Sequence, residues 1–311
     1  MSFKLKNFTV EQFNRDVNSS QQPDDKFSRW SEYRNQVSGF FSKVLQQENK
    51  HGNVLVFGAG ALNDIDLPWL CEWFSQVVLA DIDTASIRQG IRRHRLTATQ
   101  ADRIELLQLD FSGAQEYRLF PRLESLVRHA APAEKIIAEL ADTIAAMKPG
   151  SIPDGRKFDC VISCPVYTQL VYTQIEVLLK ILYTYEQYSY EDLNRILTAA
   201  HQGMPVPIRN YNRMLMAALK DEGNLIVLSD ILEIAIDDPF LEKVRIGLTV
   251  AEIDKMIERK IEDEGLDFAR AGLEDLQDKV DRTDFLYIIW PFDEHKEYLV
   301  YGLAGKMKFC L

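Results

Sequence analysis

The sequence has few of the residues that build metal centres and disulfide frameworks. It contains only four cysteines and five histidines among 311 residues. The cysteines, at positions 71, 160, 164 and 310, form no CxxC pair, and the histidines form no HxH or HxxxH pair. This pattern excludes a disulfide miniprotein and offers no metal-ligand spacing. We therefore expect reduced thiols, as in a cytoplasmic protein, and no dedicated metal site.

Long apolar runs and an excess of basic charge are also missing. No segment reaches the roughly 18 uninterrupted apolar residues of a transmembrane helix, and the opening MSFKLKNFTVEQFNRD has no apolar region typical of a secretory signal. The chain has 36 Lys and Arg residues against 47 Asp and Glu residues, a net charge of −11. We expect no membrane partner and no broad nucleic-acid surface, although one local basic pocket is compatible with this balance.

Apolar runs alternate with helical patterns through most of the chain. Hydrophobic residues make up 46% and charged residues 27%, as in ordinary globular proteins. The length fits two domains or one decorated α/β domain. Five runs predict buried strands: Asn53–Gly60 with its terminal glycines, Gln76–Asp81, Arg103–Asp110, Phe158–Cys164 and Gly223–Asp230. Strands that alternate with helices indicate βαβ units and a parallel sheet.

The C-terminal end has a different pattern. Two further strands, Asp284–Trp290 and Lys296–Met307, are separated by only five residues, PFDEH. Such a connection is too short for a parallel crossover, so the two strands must form an antiparallel hairpin. The sequence thus predicts an α/β fold with a seven-stranded, mostly parallel, doubly wound sheet and a C-terminal antiparallel hairpin.

Helical segments are predicted around this sheet. Between Phe27 and Leu45, the residues Trp30, Tyr33 and Val37 recur at helical spacing, with an aromatic pair at positions 40 and 41. We interpret residues 1–50 as a helical N-terminal lid and residues 51–311 as the sheet domain. Helical insertions are expected at about 112–156 and 231–283, and Thr84 is expected to cap the helix after the second strand.

Glycines and carboxylates follow the first three predicted strands. Gly58 and Gly60 come directly after the first strand, Asp81 ends the second, and Asp110 with Phe111 ends the third. The carboxyl ends of parallel strands meet in one crevice, where Ser163 of the fourth strand should also lie. A carboxylate after the second strand can accept hydrogen bonds from two ribose hydroxyls. The one after the third can accept from an exocyclic amine, and an aromatic side chain can stack on a purine.

These motifs resemble those of class I S-adenosylmethionine-dependent methyltransferases. The resemblance covers about residues 50–305 and includes GAG after the first strand, QVVLAD, LLQLD followed by Phe, FDCVISC, GNLIVLSD and the terminal hairpin. The GAGALNDIDL segment, with Asn63-Asp64 in place of the usual last glycine, is similar to a small-molecule subgroup of bacterial methyltransferases. Two positions depart from the family pattern, because Val56 replaces an acidic residue and SCPVY replaces an Asn/Asp-Pro-Pro-aromatic motif.

The resemblance implies S-adenosylmethionine as cofactor and a small-molecule methyl acceptor as substrate. It implies the following cofactor-binding residues: Phe57, Gly58, Ala59, Gly60, Asn63, Asp64, Asp81, Ile82, Asp83, Asp110, Phe111 and Ser163. Tyr167, just after the fourth strand, is the candidate catalytic residue at the acceptor. The alternative for the strand-end acids is helix capping, and the alternative for Tyr167 is packing of its helix.

The function expected from these residues is methyl transfer to an oxygen or nitrogen of a small molecule. A non-catalytic binding or scaffold protein of the same fold is the alternative that Val56 and the altered SCPVY motif favour. A nicotinamide-dependent oxidoreductase is less compatible, because the third glycine of GxGxxG is missing and because a terminal hairpin is unusual there. The sequence does not determine the oligomeric state.

Overall fold

The computed structural model describes residues 11, 15, 24–45, 52–240, 242, 252, 255–260 and 266–308. Cys310, most of residues 1–23 and parts of the expected insertion at 231–283 therefore lie outside the described residues. The strands are β1 Asn53–Phe57, β2 Gln76–Asp81, β3 Ile104–Gln108, β4 Phe158–Ser163, β5 Leu219–Ala235, β6 Val280–Trp290 and β7 Lys296–Met307. The principal helices are α1 Asp24–Arg29, α2 Ser31–Leu45, α3 Leu67–Trp73, α4 Thr84–Arg93, α5 Ala98–Ala101, α6 Leu119–Arg128, α7 Ala133–Ala146, α8 Tyr167–Tyr185, α9 Tyr190–Gly203, α10 Pro205–Ala218 and α11 Asp267–Gln277.

All seven strands belong to one sheet in the order β3-β2-β1-β4-β5-β7-β6. The first five strands run parallel, and β7 pairs antiparallel with both β5 and β6. This arrangement confirms the predicted fold class, including the terminal hairpin. The chain reverses direction across the sheet at β1 and β4, which places a ligand crevice at the carboxyl ends of these strands.

Several strand boundaries differ from the sequence prediction. β3 ends at Gln108, so Asp110 lies in the following loop rather than at the strand end. β5 continues to Ala235, and β6 already begins at Val280, so the expected insertion at 231–283 is shorter on both sides. The added parts contain charged residues in contact with water, which hid them from a search for apolar runs.

Alternate residues of the central strands face two separate hydrophobic clusters. Leu55 and Phe57 pack on one side of the sheet with α6–α10, whereas Val54 and Val56 pack on the other side with α2, α3 and α4. The predicted apolar side of α2 belongs to this second cluster: Tyr33, Val37 and Phe41 are each at most 1% exposed. Complete burial of one such side chain contributes roughly 1.5–3 kcal/mol. The N-terminal helix is therefore part of the core, in addition to any role as a lid.

One prediction about the helices is confirmed and another, about a helix cap, is wrong. The expected insertion at 112–156 contains two helices, α6 and α7. The helix after β2 is capped by Asp83 and not by Thr84, because the Asp83 carboxylate accepts from the Ser86 backbone N–H at 3.2 Å. Among the described residues, the search for a helix both long and apolar enough to span a bilayer finds none.

Candidate functional site

The turn after β1 brings the backbone close to the edge of the sheet. Gly58 has φ of +71° and Gly60 has φ of +47°, which favour glycine at both positions. A Cβ atom on Gly58 would lie 2.4 Å from a Val166 methyl group, so a side chain is also excluded by contact. The N–H groups of Gly58 and Ala59 donate to the Ala80 carbonyl of β2, at 3.0 and 3.2 Å. The glycine turn is therefore fixed to the end of the neighbouring strand.

Asp81 connects this turn to the end of β2. One carboxylate oxygen accepts from the Gly60 N–H at 2.9 Å, and the other accepts from the Asp83 N–H at 2.9 Å. The side chain is 9% exposed, and burial raises the pKa of its carboxyl group, although these backbone donors lower the pKa in part. A carboxylate that remains charged here offers its other lone pairs to hydroxyl donors of a ligand.

Two cavities meet at Gly58, Asp81 and Gln169. The first, which we call the Phe111 cavity, is small and lies between the β2 and β3 loops and the start of α8. The predicted residues that line it are Gly58, Asp81, Ile82, Asp110 and Phe111. Phe111 packs edge-on against Phe57 with a centroid distance of 5.5 Å, which holds its ring beside the cavity.

The second cavity, which we call the Trp30 cavity, is also small and lies beside the glycine turn. The predicted residues that line it are Gly58, Ala59, Gly60, Asn63, Asp64 and Asp81. Trp30 from the turn between α1 and α2 and Trp290 from the end of β6 complete the wall. Nine of the twelve predicted cofactor residues thus line one or both cavities, since Gly58 and Asp81 belong to both.

The other three predicted cofactor residues are placed differently. Phe57 is fully buried behind Phe111, and Asp83 is committed to capping α4 through the Ser86 N–H and hydroxyl. Ser163 is also fully buried, where its hydroxyl lies 2.8 Å from the Tyr211 hydroxyl and 3.0 Å from the Cys164 carbonyl. None of these side chains borders either cavity. Their contacts instead fix the strand ends from behind.

Two residues that line the cavities, Asp110 and Asn63, use their polar atoms in hydrogen bonds to other parts of the protein. Asp110 accepts from the Ser112 N–H and hydroxyl at 2.9 and 2.8 Å and from the Gln115 N–H at 2.9 Å. Both of its oxygens therefore stabilise the β3 loop. Asn63 accepts from the Arg93 guanidinium at 2.8 Å with its side chain and from Arg34 at 2.7 Å with its backbone carbonyl. Asn63 thus ties the glycine turn to α2 and α4.

Tyr167 lies in the core behind the site. Its side chain is fully buried, and its hydroxyl donates to the Asn212 side chain at 2.6 Å. Its ring packs edge-on against Tyr211, at 5.7 Å, and lies so close to Gly272 that a Cβ atom there would be 2.5 Å away. Burial raises the pKa of its hydroxyl far above the usual value. These contacts fit the packing interpretation of Tyr167, not direct contact with a substrate.

Several residues that line the cavities were not among the predicted site residues, and four of them are Gln169, Gln174, Trp30 and Trp290. Gln174 of α8 borders the Phe111 cavity, is 3% exposed, and has a side-chain oxygen without a hydrogen-bond partner among the described residues. Gln169, one turn earlier, borders both cavities. Trp30 and Trp290 border the second cavity, and their indole N–H groups also have no described acceptor. No local motif connects these positions.

A third buried carboxylate lies near the same edge of the sheet. Asp230 of β5 is 4% exposed, and one of its oxygens accepts from the Thr168 hydroxyl at 2.7 Å. Its other oxygen has no partner among the described residues. Burial raises the pKa of Asp230 to about 7, and it raises that of Asp64 to about 6. Perturbed carboxyl groups of this kind cluster at functional sites.

Within the described part of the chain, no group of three or more His, Cys, Asp or Glu side chains is placed to hold a metal. The buried thiols do not provide a nucleophile: burial raises the pKa of Cys164, and none of the described histidines borders either cavity. What the site offers is a strand-end carboxyl group, an aromatic ring and a side-chain amide oxygen with no partner among the described residues.

No protein-family model matches the sequence, and no curated protein matches it. Solved structures do match over nearly the whole chain. The glycopeptide N-methyltransferase MtfA is 11% identical, with 94% of this chain and 97% of that chain covered and a TM-score of 0.40.

Two other solved structures give a similar result. The N-methyltransferase NodS from Bradyrhizobium japonicum WM9 is 11% identical, with 91% of this chain and 98% of that chain covered and a TM-score of 0.40. The DhpI complex with SAH is 9% identical, with coverages of 94% and 96% and a TM-score of 0.38. At such low identities and TM-scores, no activity or residue role is transferred from these proteins to this chain.

Proposed function

We propose that this protein is an S-adenosylmethionine-dependent methyltransferase that acts on an oxygen or nitrogen of a small molecule. The observation that carries the proposal is the junction of two cavities at Gly58 and Asp81, at the carboxyl edge of the parallel strands. Phe111 borders one cavity, and the glycine turn, Asp64 and two tryptophans border the other. A ligand with a purine at one end and a charged chain at the other fits this division.

The residues present fit the nucleoside part of such a cofactor. Asp81 is placed between the cavities to accept from the ribose hydroxyls, and Phe111 provides an apolar ring beside the base. The unpaired, buried side-chain oxygen of Gln174 requires a donor, which the exocyclic amine of adenine supplies. In this assignment Gln174 takes the role that the sequence suggested for Asp110, because the Asp110 oxygens already accept from their own loop.

Methyl transfer depends more on the alignment of the acceptor with the methyl group than on acid–base catalysis. When bound, S-adenosylmethionine supplies a methyl group on a positively charged sulfur, and the neutral thioether S-adenosylhomocysteine is a good leaving group. The glycine turn and Asp81 hold the nucleoside, and Trp30 and Trp290 form part of the wall at the other end. Proximity and orientation of this kind can lower a barrier by roughly 7–11 kcal/mol. Tyr167 is not included among the reacting groups, because its hydroxyl donates to Asn212 in the core.

The direct test is release of S-adenosylhomocysteine from S-adenosylmethionine. Purified protein is incubated with S-adenosylmethionine and with pools of small amines, alcohols and phenols, and the product is measured by mass spectrometry. We expect at least one pool to give turnover that is lost in Asp81→Asn. If tight S-adenosylhomocysteine binding is found without turnover on any pool, the non-catalytic alternative replaces the enzymatic one.

A further inference from the structure

A groove away from the two cavities has a basic lining, although the chain as a whole is acidic. It lies between the loop of residues 148–156, which leads into β4, and the helix α10, and we call it the Lys148 groove. Its volume is about 480 Å³, within the range of small-molecule sites. The groove shares no lining residue with the Phe111 cavity or the Trp30 cavity. It is therefore separate from the site described above.

Three cationic side chains line the groove, and no described carboxylate does so. They are Lys148, Arg156 and Arg213, in a chain whose net charge is −11. The charge of Arg156 is balanced by a bidentate pair with Glu105, at 2.6 and 2.7 Å. Lys148 and Arg213 form no ion pair within 4.0 Å in the part of the chain that the structure describes. The groove therefore has two positive charges without a protein counterion.

A short chain of hydrogen bonds holds Arg213 in place. Its guanidinium donates to the Asn210 side-chain oxygen at 3.1 Å, and the Asn210 amide donates to the Met147 carbonyl at 2.9 Å. This contact uses one of the guanidinium nitrogens, and the others have no acceptor among the described residues. The planar guanidinium matches the geometry of a carboxylate or phosphate, so Arg213 can bind such a group while it keeps its contact with Asn210.

The wall of the groove that carries Lys148 is fixed by close backbone contacts with the β3 loop. The Gly150 N–H donates to the Asp110 carbonyl at 2.8 Å. Gly113 has φ of +79°, and a Cβ atom there would lie 2.0 Å from the Lys148 carbonyl oxygen. The backbone at Lys148 is thus packed directly against this loop. A wall that is already in place lowers the entropy cost of binding a ligand.

Apolar side chains make up another part of the lining. Pro149 and Ile152 border the groove from the loop, and Met214 borders it from α10. Met214 is only 6% exposed, so it forms part of the floor. A lining that combines apolar side chains with a few charged groups is typical of sites for small organic molecules. An inorganic ion alone would leave the apolar part of the groove unused.

We propose that the Lys148 groove binds a small organic anion, which carries a phosphate or carboxylate on an apolar body. Lys148 and Arg213 pair with the anionic group, and Ile152 and Met214 contact the apolar body. The net charge of the chain repels anions, so recognition depends on cations within about one Debye length, roughly 10 Å at about 0.1 M salt. The proposal concerns a second site and does not depend on methyl transfer.

Phenyl phosphate and benzoate test the proposal, because each joins an anionic group to an aromatic ring. The full chain is prepared with isotope-labelled methionine methyl groups, and the Met214 signal is assigned by its loss in Met214→Leu. We expect at least one of the two compounds to shift this signal saturably and to leave the signal of Met307, at the end of β7, unchanged. The tighter of the two identifies the anionic group. Phenol, which has the ring without the charge, and inorganic phosphate should each bind at least about threefold more weakly.

Charge-removing variants identify the groups involved. Lys148→Gln and Arg213→Gln should each weaken binding of the tighter compound by about threefold to tenfold, since each removes one charge-assisted contact. Arg209→Gln is the matched control, because Arg209 is an exposed arginine one turn earlier on α10 that does not border the groove. Its affinity should stay at the wild-type value. All three side chains are exposed, so the variants should keep the fold.

Three results would overturn the proposal. One is a Met214 signal that neither phenyl phosphate nor benzoate shifts. Another is binding of phenol as tight as that of the anions, which would mean that the groove recognises only apolar surface. The third is an equal loss of affinity in Arg209→Gln and in the two groove variants, which would mean that binding follows net charge and not this site.

Discussion

The Asp81 carboxylate accepts a hydrogen bond from the Gly60 backbone N–H at 2.9 Å, across 21 positions of the sequence. This bond joins the glycine turn of β1 to the acid at the end of β2. It means that the acid has a structural role in addition to any contact with a ligand. Substitutions at Asp81 must therefore be compared with a neighbour that has only the structural role, and Asp83 provides that comparison.

Asp81→Asn should weaken S-adenosylhomocysteine binding by about tenfold to a hundredfold. The amide oxygen can still accept from one loop N–H, but the charge that strengthens bonds from two ribose hydroxyls is lost. Asp83→Asn should leave affinity unchanged and lower the free energy of unfolding by at most about 1 kcal/mol, because Asp83 caps α4. Calorimetry and denaturant unfolding of both variants separate the two roles. Normal affinity in Asp81→Asn would refute the ribose contact.

Gln174→Leu should reduce discrimination between adenine and hypoxanthine. The wild-type protein is expected to prefer S-adenosylhomocysteine to S-inosylhomocysteine, since the carbonyl of hypoxanthine cannot donate to the unpaired Gln174 oxygen. The leucine variant should bind both compounds with affinities that differ by less than about threefold. Gln169→Leu is the control on the same helix. If Gln174→Leu keeps the wild-type preference, Gln174 does not bind the amine, and Asp110 of the β3 loop becomes the candidate again.

The strand ends and the fold could be predicted because each depends on local pattern. Buried parallel strands consist of apolar runs. The predicted ends of β2 and β4 therefore agree with the structure to within one residue, and β1 ends where the glycine turn begins. The polar ends of β5 and β6 were missed for the same reason, because they lie in the antiparallel part of the sheet, where one face meets water. The terminal hairpin followed from the length of its connection alone.

The candidate site could be predicted only where its residues adjoin strand ends. Gly58, Asp81 and Phe111 lie beside apolar runs, whereas Trp30 and Trp290 meet only after α2 packs against the sheet. The local hydrogen bonds of Asp110 and Asp83 could have been predicted from the spacing of nearby residues. Ser112 follows Asp110 by two residues, which is the spacing of a turn closed by an Asp side chain. Ser86 follows Asp83 by three, the spacing of a helix cap.

Tyr167→Phe should affect stability and not ligand binding. The hydroxyl donates to a buried side-chain oxygen of Asn212, so its removal leaves that oxygen without this donor and should cost about 1–3 kcal/mol of unfolding free energy. Affinity for S-adenosylhomocysteine should stay within about twofold of wild type. A fold-stable variant that binds the cofactor product normally but has lost all methyl transfer would revive the catalytic role suggested by the sequence.

Asp230→Asn should flatten the dependence of stability on pH. The pKa of Asp230 is raised to about 7 by burial, against 3.8 in the absence of the fold. A raised carboxyl pKa favours the folded state below the unfolded value, and this contribution is lost as pH rises through about 7. Between about pH 5 and pH 8, the wild-type protein should therefore lose roughly 2–3 kcal/mol more stability than Asp230→Asn, which keeps an acceptor for Thr168. Parallel denaturant curves at the two pH values measure the difference.

Binding of S-adenosylhomocysteine in comparison with NAD tests the central claim most directly. Both ligands contain adenosine, but only the first matches a site with a shortened glycine motif and a polar second cavity. Titration of the full chain should give saturable one-to-one binding of S-adenosylhomocysteine, and about 100 times Kd should stabilise the fold by roughly 2.7 kcal/mol. NAD should give neither heat of binding nor stabilisation. Stabilisation by NAD with none by S-adenosylhomocysteine would contradict the methyltransferase account.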